Sequence, residues 1–335
     1  MKYFVAATLL IHGLIHLIGV AKAWNSGLVT TLTQPVSPAQ GAAWGTAAVL
    51  FCLAAAALLS GRLWWWMPGV AGLLISQALI FGMWSDARYG SLANLLLLLP
   101  LLSGYGNWSF ERDGAQARQE IVASGLKEKS LMDEKDLQNL PPLVRRWIER
   151  SGAVGKPRYA IAVSEQEGTM RTSPAGKWMP FTARQYTSAE PASFLWLARV
   201  AVAPGLWLGG RDRYEQGKGQ MLIKLQGLFP VVDSEGPEID QGTLLRFLGE
   251  LVWFPAAAGS EYVKWEQLDA NRVRAKMSYR GSSASGIFTF DRQGRFVSFE
   301  AARYYGQGNQ EARLEDWLIE ASSGDWSERP SNRNR

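Results

Sequence analysis

Residues 236–255 read "GPEIDQGTLLRFLGELVWFP". Pro237 stands at the mouth of this stretch and Pro255 beyond its end, where proline starts or stops a helix without breaking it. Between them Leu244, Leu245, Phe247, Leu248, Leu251 and Val252 recur at helical spacing and form one apolar side. On both flanks the period changes to two. Alternation runs through "RYAIAVS", "WMPFTARQYTS", "SFLWLARVAVA" and "DRYEQGKGQMLIKLQG" before the helix, and through "EYVKWEQLD", "RVRAKMSYRG", "SGIFTFDRQG" and "RFVSFEAARYY" after it. Turn formers ("SPAGK", "EQGKG", "DRQG") separate these runs. The pattern predicts an α+β domain over 139–305: an antiparallel β-meander of roughly eight to ten strands with an inserted amphipathic helix. An apolar helix laid on such a sheet covers its face, and a sheet curved over it as a half-barrel encloses an apolar cavity. A short amphipathic helix in "LPPLVRRWIERSGAVG" opens the domain, with Leu143, Val144, Trp147 and Ile148 on one face and Gly152 or Gly155 as its stop.

Upstream the composition changes. Residues 1–110 hold four basic residues (Lys2, Lys22, Arg62, Arg88) and one acidic residue, Asp86, while the remainder is nearly charge-balanced. Four apolar segments, roughly 3–23, 43–60, 64–84 and 90–107, approach the length of about 20 residues that a helix needs to cross hydrocarbon. Trp24, Trp44, the "WWW" at 64–66, Trp84 and Trp108 mark segment ends, where indoles sit at a lipid–water boundary. The expectation is an N-terminal four-helix transmembrane bundle over 1–108, a charged linker over 109–138, the β-rich domain, and a polar tail over 306–335. Met1-Lys2, an apolar run and Ala21-Lys22-Ala23 also fit a cleaved signal peptide, but the run is long enough to span and its two histidines favour a retained helix. The Lys and Arg count near helix ends places both termini in the cytoplasm of a cell with an inner membrane.

Several function classes are excluded or disfavoured. The net charge of +5 does not signal nucleic acid, because the basic residues alternate with acidic ones ("ERDGAQARQE", "LKEKSLMDEKD") rather than cluster. The single Cys52 rules out an internal disulfide and multi-cysteine zinc motifs. No histidine or cysteine follows residue 52, which removes Ser-His-Asp and Cys-His catalysis from the β-rich domain. The glycine-rich "GGRDRYEQGKG" lies between strands and is no phosphate loop.

Three sets of candidate residues remain. Asp240 and Glu250, on the inserted helix, are the candidate catalytic carboxylates, with Arg211, Asp212, Arg213 and Arg246 nearby in the pattern; the competing reading is dipole complementation and ordinary ion pairs. Trp178, Phe181, Trp196, Arg211, Arg246 and Trp253 are candidates for contacting a lipid-like ligand, against the plainer reading of aromatic core. Both histidines of the chain, His12 and His16, lie about 40° apart on one helical face. With Gln77 and Asn94 they form a polar stripe inside the bundle, where polar groups are costly unless partnered. Interhelical hydrogen bonding, proton or quinone-type chemistry, and a metal on His12, His16 and Cys52 all fit. The last lacks a further strong ligand, so neither metal nor cofactor is expected.

The stretches "SDARYGSLANLLLLL", "LPPLVRRWIERSG", "KWMPFTARQY", "FLWLARV", "GRDRYEQGKGQM", "GPEIDQGTLLRFLGELVWFP" and "KWEQLD" together resemble an uncharacterised bacterial membrane-protein family, catalogued as a domain of unknown function. The likeness runs from the first helix to about residue 305. It implies four helices followed by a β-rich domain and no known site; it also implies further strands after Tyr305, where this chain ends in the polar "SSGDWSERPSNRNR". Sheet-plus-helix domains of this kind also look like bacterial lipoprotein-carrier half-barrels, which hold acyl chains. The expected function is an integral membrane protein whose β-rich domain binds or transfers a lipid-like molecule. The alternatives are a membrane enzyme using the carboxylates of 238–250, and a structural partner in a membrane complex. The expected partners are the bilayer and that ligand, not nucleic acid.

Overall fold

The computed structural model describes residues 1–25, 29–30, 32–125, 131–158, 161–173, 175–305 and 313–321. They form two compact units. The first comprises Met1–Ala115 together with Val200–Gly209 and Lys224–Pro230; the second comprises Gln116–Arg199, Gly210–Ile223 and Val231–Arg335.

The Met1–Ala115 part of the first unit is helical, and its remaining residues come from strands. α1 spans Lys2–Trp24 and α2 Pro38–Leu59. The start of α2 is fixed by a capping box: Gln40 N donates to Ser37 Oγ (3.2 Å), and Ser37 N donates to Gln40 Oε1 (2.9 Å), with Pro38 in the first turn. A 3-10 turn at Leu63–Trp65 leads into α3, Trp66–Gly82; a single turn, α4, covers Trp84–Ala87; α5 runs Gly90–Ser124. The core of the unit is built from Leu9, Phe51, Leu97 and Leu101 with the small side chains of Ala6, Ala47, Ala54 and Ala55. Small residues let helices approach closely. At Gly19 the approach is close, since a Cβ there would lie 2.4 Å from the Trp44 indole.

Among the described residues three helices, Lys2–Trp24, Pro38–Leu59 and Leu63–Gly82, are long and apolar enough to cross a membrane. The fourth expected span does not join them. Residues 90–107 are helical, but Asn94, Pro100, Ser103 and Asn107 dilute their apolar run, and they form the first half of the 35-residue α5. The helix continues to Ser124, through the first part of the expected linker. Ala117 and Ile121 are buried along this extension, against Tyr186 and Leu195 of the second unit's own core.

In the second unit α6, Pro142–Ser151, buries Leu143, Val144, Trp147 and Ile148 and stops at Gly152 in the left-handed conformation (φ 70°). Six strands follow: β1 Ile161–Met170, β2 Met179–Ser188, β3 Ser193–Ala203, β4 Leu206–Glu215, β5 Lys218–Leu225 and β6 Phe229–Ser234. They pair consecutively in one sheet. Then comes α7, Pro237–Gly249, which ends in a 3-10 turn carrying Leu251 and Val252. The remaining strands, β7 Val263–Gln267, β8 Arg272–Tyr279, β9 Ser282–Phe290, β10 Phe296–Tyr305 and β11 Arg313–Glu320, make a second sheet in the order 11-10-9-8-7.

The strands therefore form two antiparallel sheets separated in sequence by α7, with no closed barrel among the described residues. Strands β6 and β7 flank the helix and do not pair, so each sheet keeps two edges. Helix α7 lies against β8, β9 and β10, burying Leu244, Leu245, Phe247 and Leu248. Val273, Ala275 and Met277 alternate inward on β8, joined by Phe288 and Phe290 of β9 and Phe299 of β10. Rings fill this interior: Phe288 and Phe299 are 4.6 Å apart by centroid, and Phe288 stacks on Phe290 at 6.2 Å. The expected polar tail holds β11, paired with β10 from Ser298↔Glu320 to Tyr305↔Arg313. The final "SSGDWSERPSNRNR" lies outside the described residues.

Candidate functional site

In the helical unit the polar residues of α1, α3 and α5 meet. His12 Nε2 lies 2.8 Å from Asn94 Oδ1. Asn94 Nδ2 donates to Gln77 Oε1 (3.0 Å), and Gln77 Nε2 donates to Ser91 Oγ (3.0 Å). Ser76, fully buried, donates to Asn94 Oδ1 at 3.2 Å. The chain of bonds is self-consistent only if Asn94 Oδ1 accepts, which makes His12 Nε2 a donor. His16 Nδ1 lies 2.7 Å from the His12 carbonyl, and since a carbonyl only accepts, that nitrogen carries the proton. Among the described residues, His16 Nε2 is buried and has no partner, and Trp44 Nε1 is likewise buried and unpartnered. The two rings are 5.1 Å apart.

Both line a cavity of about 250 Å³ at one end of the unit. Its wall is mostly apolar, with Ile15, Ile18, Leu32 and Ile80; Asp86 and Tyr89 stand among its other lining residues. Asp86, the one acidic residue of the first 110, is committed elsewhere. It accepts from Thr33 N (2.7 Å), Thr33 Oγ1 (2.7 Å) and Gln34 N (3.0 Å), tying the α1–α2 connection to α4. Those bonds, the Gln34 amide foremost, hold its carboxyl below the ordinary value.

The second unit carries a buried ion cluster around Arg246 of α7. Its Nη1 donates to Asp212 Oδ2 at 2.6 Å, its Nε to Glu250 Oε1 at 2.8 Å, and its Nη2 to Gln185 Oε1 at 2.9 Å. Gln185 in turn donates to Glu250. The guanidinium carbon lies 5.0 Å from the ring centres of both Phe194 and Trp196. Burial alone would lower the guanidinium's pKa, but the Glu250 and Asp212 carboxylates outweigh it and the net shift is upward. Arg303 of β10, largely buried and 5.0 Å from the Trp317 ring, is pulled down instead, by burial and by the charge of Arg246.

Not all the candidate residues of the sequence converge here. Glu250 belongs to the Arg246 cluster. Asp240 sits at the start of the same helix and accepts from Gly219 N (2.7 Å) and Lys218 Nζ (2.9 Å), so the two carboxylates serve different partners. Phe181 lies tilted against Trp196 (6.3 Å between ring centres), and Trp196 Nε1 donates to Gln166 (2.9 Å). Trp178 lies under Arg171 at the surface, Trp253 is half exposed, and Arg211 reaches Gln220 (3.1 Å). The six aromatic and basic candidates therefore share no single chamber. Two cavities of this unit, beside Tyr262 and beside Asp240, have charged walls. Among the described residues no group of three or more His, Cys, Asp or Glu could hold a metal.

Sequence reasoning missed Gln185, Ser76, Ser91 and Trp44 as members of these networks. Gln185 left a signal, a polar residue at an inward position of an alternating strand; Trp44 did not, since an indole near a helix end reads as an interface anchor.

Apolar helices in one unit and two antiparallel sheets with a buried ion cluster in the other define a helical, membrane-compatible protein with a β-rich appendage. Residues 130–330 match the family of unknown function DUF6544, and the chain belongs to that family. No curated protein and no solved structure matches it.

Proposed function

We propose that this chain is a multi-pass protein of the bacterial inner membrane that binds a lipid-like apolar ligand. The cavity in the helical unit carries this reading. It is bounded by apolar side chains, and the wall residues Ile15 and Ile18 are themselves exposed on α1, where bilayer would surround them. Its lining is mostly apolar with few polar residues, the make-up of sites that hold a mostly apolar ligand. The β-rich unit supports a binding role less directly, because the interior between α7 and the second sheet is filled by phenylalanines. Its carboxylates support an enzyme least. Glu250 is paired with Arg246 and Asp240 with Lys218, so both carboxylates are engaged in ion pairs with their own side-chain partners.

Native mass spectrometry of the full chain released from detergent tests the reading: an apolar species retained at a defined stoichiometry supports it, and a bare chain under conditions that keep lipids on control membrane proteins counts against it. Four spans would leave both termini in the cytoplasm and three would put them on opposite sides; reporter fusions at each end distinguish the two.

A further inference from the structure

Two pieces of the first sheet belong to the helical unit: Val200–Gly209 around the β3–β4 turn, and Lys224–Pro230 around the β5–β6 turn. They are clamped to one end of the helices. Ser103 Oγ of α5 donates to Gln226 Oε1 (3.0 Å), and Gln226 Nε2 donates to the Gly205 carbonyl (2.6 Å). A Cβ on Gly106 would strike the Gln226 carbonyl, and one on Gly227 the Gly106 carbonyl. Phe110 of α5 meets Trp207 edge to face at 5.9 Å, and Met1 packs on Gly205. This is the helix end away from the cavity, and it bears rings and cations. Trp66 stands 5.0 Å from Tyr105 and 5.5 Å from Trp108, and Trp64 is exposed. Lys2 donates to the Leu59 carbonyl (2.8 Å), and Arg62 is exposed in the α2–α3 link. No acidic residue precedes Asp86, which lines the cavity; α5 adds Glu111 and Asp113, and Asp113 is paired with Arg112 (3.1 Å). The two turn segments hold a single charged residue, Lys224, while Ala203, Pro204, Leu206 (38%) and Phe229 (62%) are exposed.

We infer that these two turns anchor in the headgroup layer of an anionic bilayer surface, with Leu206 and Phe229 among the lipids and Lys2 and Arg62 beside the anionic heads. The inference rests on the reading that the apolar helices span a bilayer, and adds to it a second contact surface and the charge of the lipid. Three features of this end agree. Its indoles and Tyr105 are the side chains of a lipid–water boundary. Exposed apolar side chains on almost uncharged turns are favoured where headgroups and acyl chains replace water. Two basic side chains, with no acid among residues 1–85, attract anionic rather than zwitterionic lipid.

The test uses the full chain with Cys52→Ala, which removes its only thiol, and a single cysteine labelled with nitrobenzoxadiazole. The label sits either at Ala203, at the end of β3, or at Leu14, exposed midway along α1. Nanodiscs of phosphatidylcholine and phosphatidylglycerol in equal parts carry a doxyl quencher on the acyl chain, near the headgroup or near the chain end. The Ala203 label is expected to be quenched more by the shallow doxyl, and the Leu14 label more by the deep one. Half-quenching at Ala203 is expected at about a fivefold lower fraction of shallow doxyl lipid when phosphatidylglycerol bears it than when phosphatidylcholine does, the scale of one basic side chain near an anionic surface. Lys2→Gln with Arg62→Gln is expected to bring that ratio to about one. Quenching at Leu14 but not at Ala203 overturns the anchor and leaves the spanning helices standing. Quenching at neither overturns both. Equal quenching at Ala203 by the two lipids, or a ratio unchanged in the double variant, overturns the anionic assignment.

Discussion

Arg246 Nη1 lies 2.6 Å from Asp212 Oδ2, joining α7 to β4 across 34 residues of sequence, and both side chains are buried (14% and 2% exposed). The same guanidinium holds Glu250 and Gln185, so one side chain ties the helix to the first sheet while the opposite helix face packs on the second. Removing one partner of such a group strands the rest. Arg246→Met is expected to cost about 3–5 kcal/mol, because two carboxylates lose their counter-charge in a buried site. Arg246→Lys keeps the charge, loses the fork, and should cost less. Chemical denaturation of the full chain, followed by the tryptophan signal, checks both.

The buried phenols predict alkaline instability. Burial raises the pKa of Tyr214 and Tyr262 above the ordinary phenol range. Above pH of about 10 the unfolded chain loses those protons while the folded chain keeps them, so stability falls as pH rises through that point. Tyr214 Oη has no partner, whereas Tyr262 Oη donates to the Ala189 carbonyl (2.6 Å). Tyr214→Phe should therefore be neutral or stabilising at pH 7 and should flatten the alkaline slope. Tyr262→Phe should flatten it too, at a cost of about 1 kcal/mol at pH 7. Thermal melts from pH 7 to 11 measure both effects.

The helical unit should be sensitive at Asn94. Its amide bridges His12 of α1, Ser76 and Gln77 of α3, and its own helix α5. Asn94→Leu is expected to lower stability in detergent by about 1 kcal/mol, the scale of interhelical hydrogen bonds within bilayers. Asn94→Asp, which keeps the acceptor for His12, should lose the Gln77 bond and retain the first. Unfolding in a denaturing detergent gradient ranks the variants.

Gly19 should not tolerate a larger residue. A Cβ there meets the Trp44 indole at 2.4 Å, so Gly19→Val forces the ring aside, with an expected cost of about 1–3 kcal/mol. Gly45, whose Cβ would find Val20 at an ordinary 3.5 Å, is the control position. The same unfolding assay compares the two.

Much of this architecture is written in local patterns. Pro237, the apolar side of 244–252 and the alternation of 273–277 give α7 and β8 directly, because helix and strand place their buried residues at different periods. The first four turns past residue 108 were hidden by charge: "ERDGAQARQE" reads as linker, yet Ala117 and Ile121 repeat one helical turn apart and are buried. β11 was hidden for another reason. In "RLEDWLIE" the exposed face carries Leu314 and Leu318 while the inner face carries Trp317 and Ile319, so the alternation cancels. The division into two sheets was not legible at all, since a meander and two half-meanders have the same local sequence. For the polar residues, the shared face of His12 and His16 follows from helical angle, and Gln77 and Asn94 stand out as polar groups near the middle of apolar segments, whereas the Arg246–Asp212 pairing depends on long-range packing that no spacing encodes.

The most direct measurement is retention of the apolar ligand by wild type and by Ala87→Phe, compared by native mass spectrometry at matched thermal stability. Ala87 lines the cavity without belonging to the His12–Asn94 network, so a phenyl group there fills the space and leaves the bonds intact. Loss of the bound species in Ala87→Phe, with retention in wild type, is the predicted result; equal retention by both chains would contradict ligand binding in this cavity.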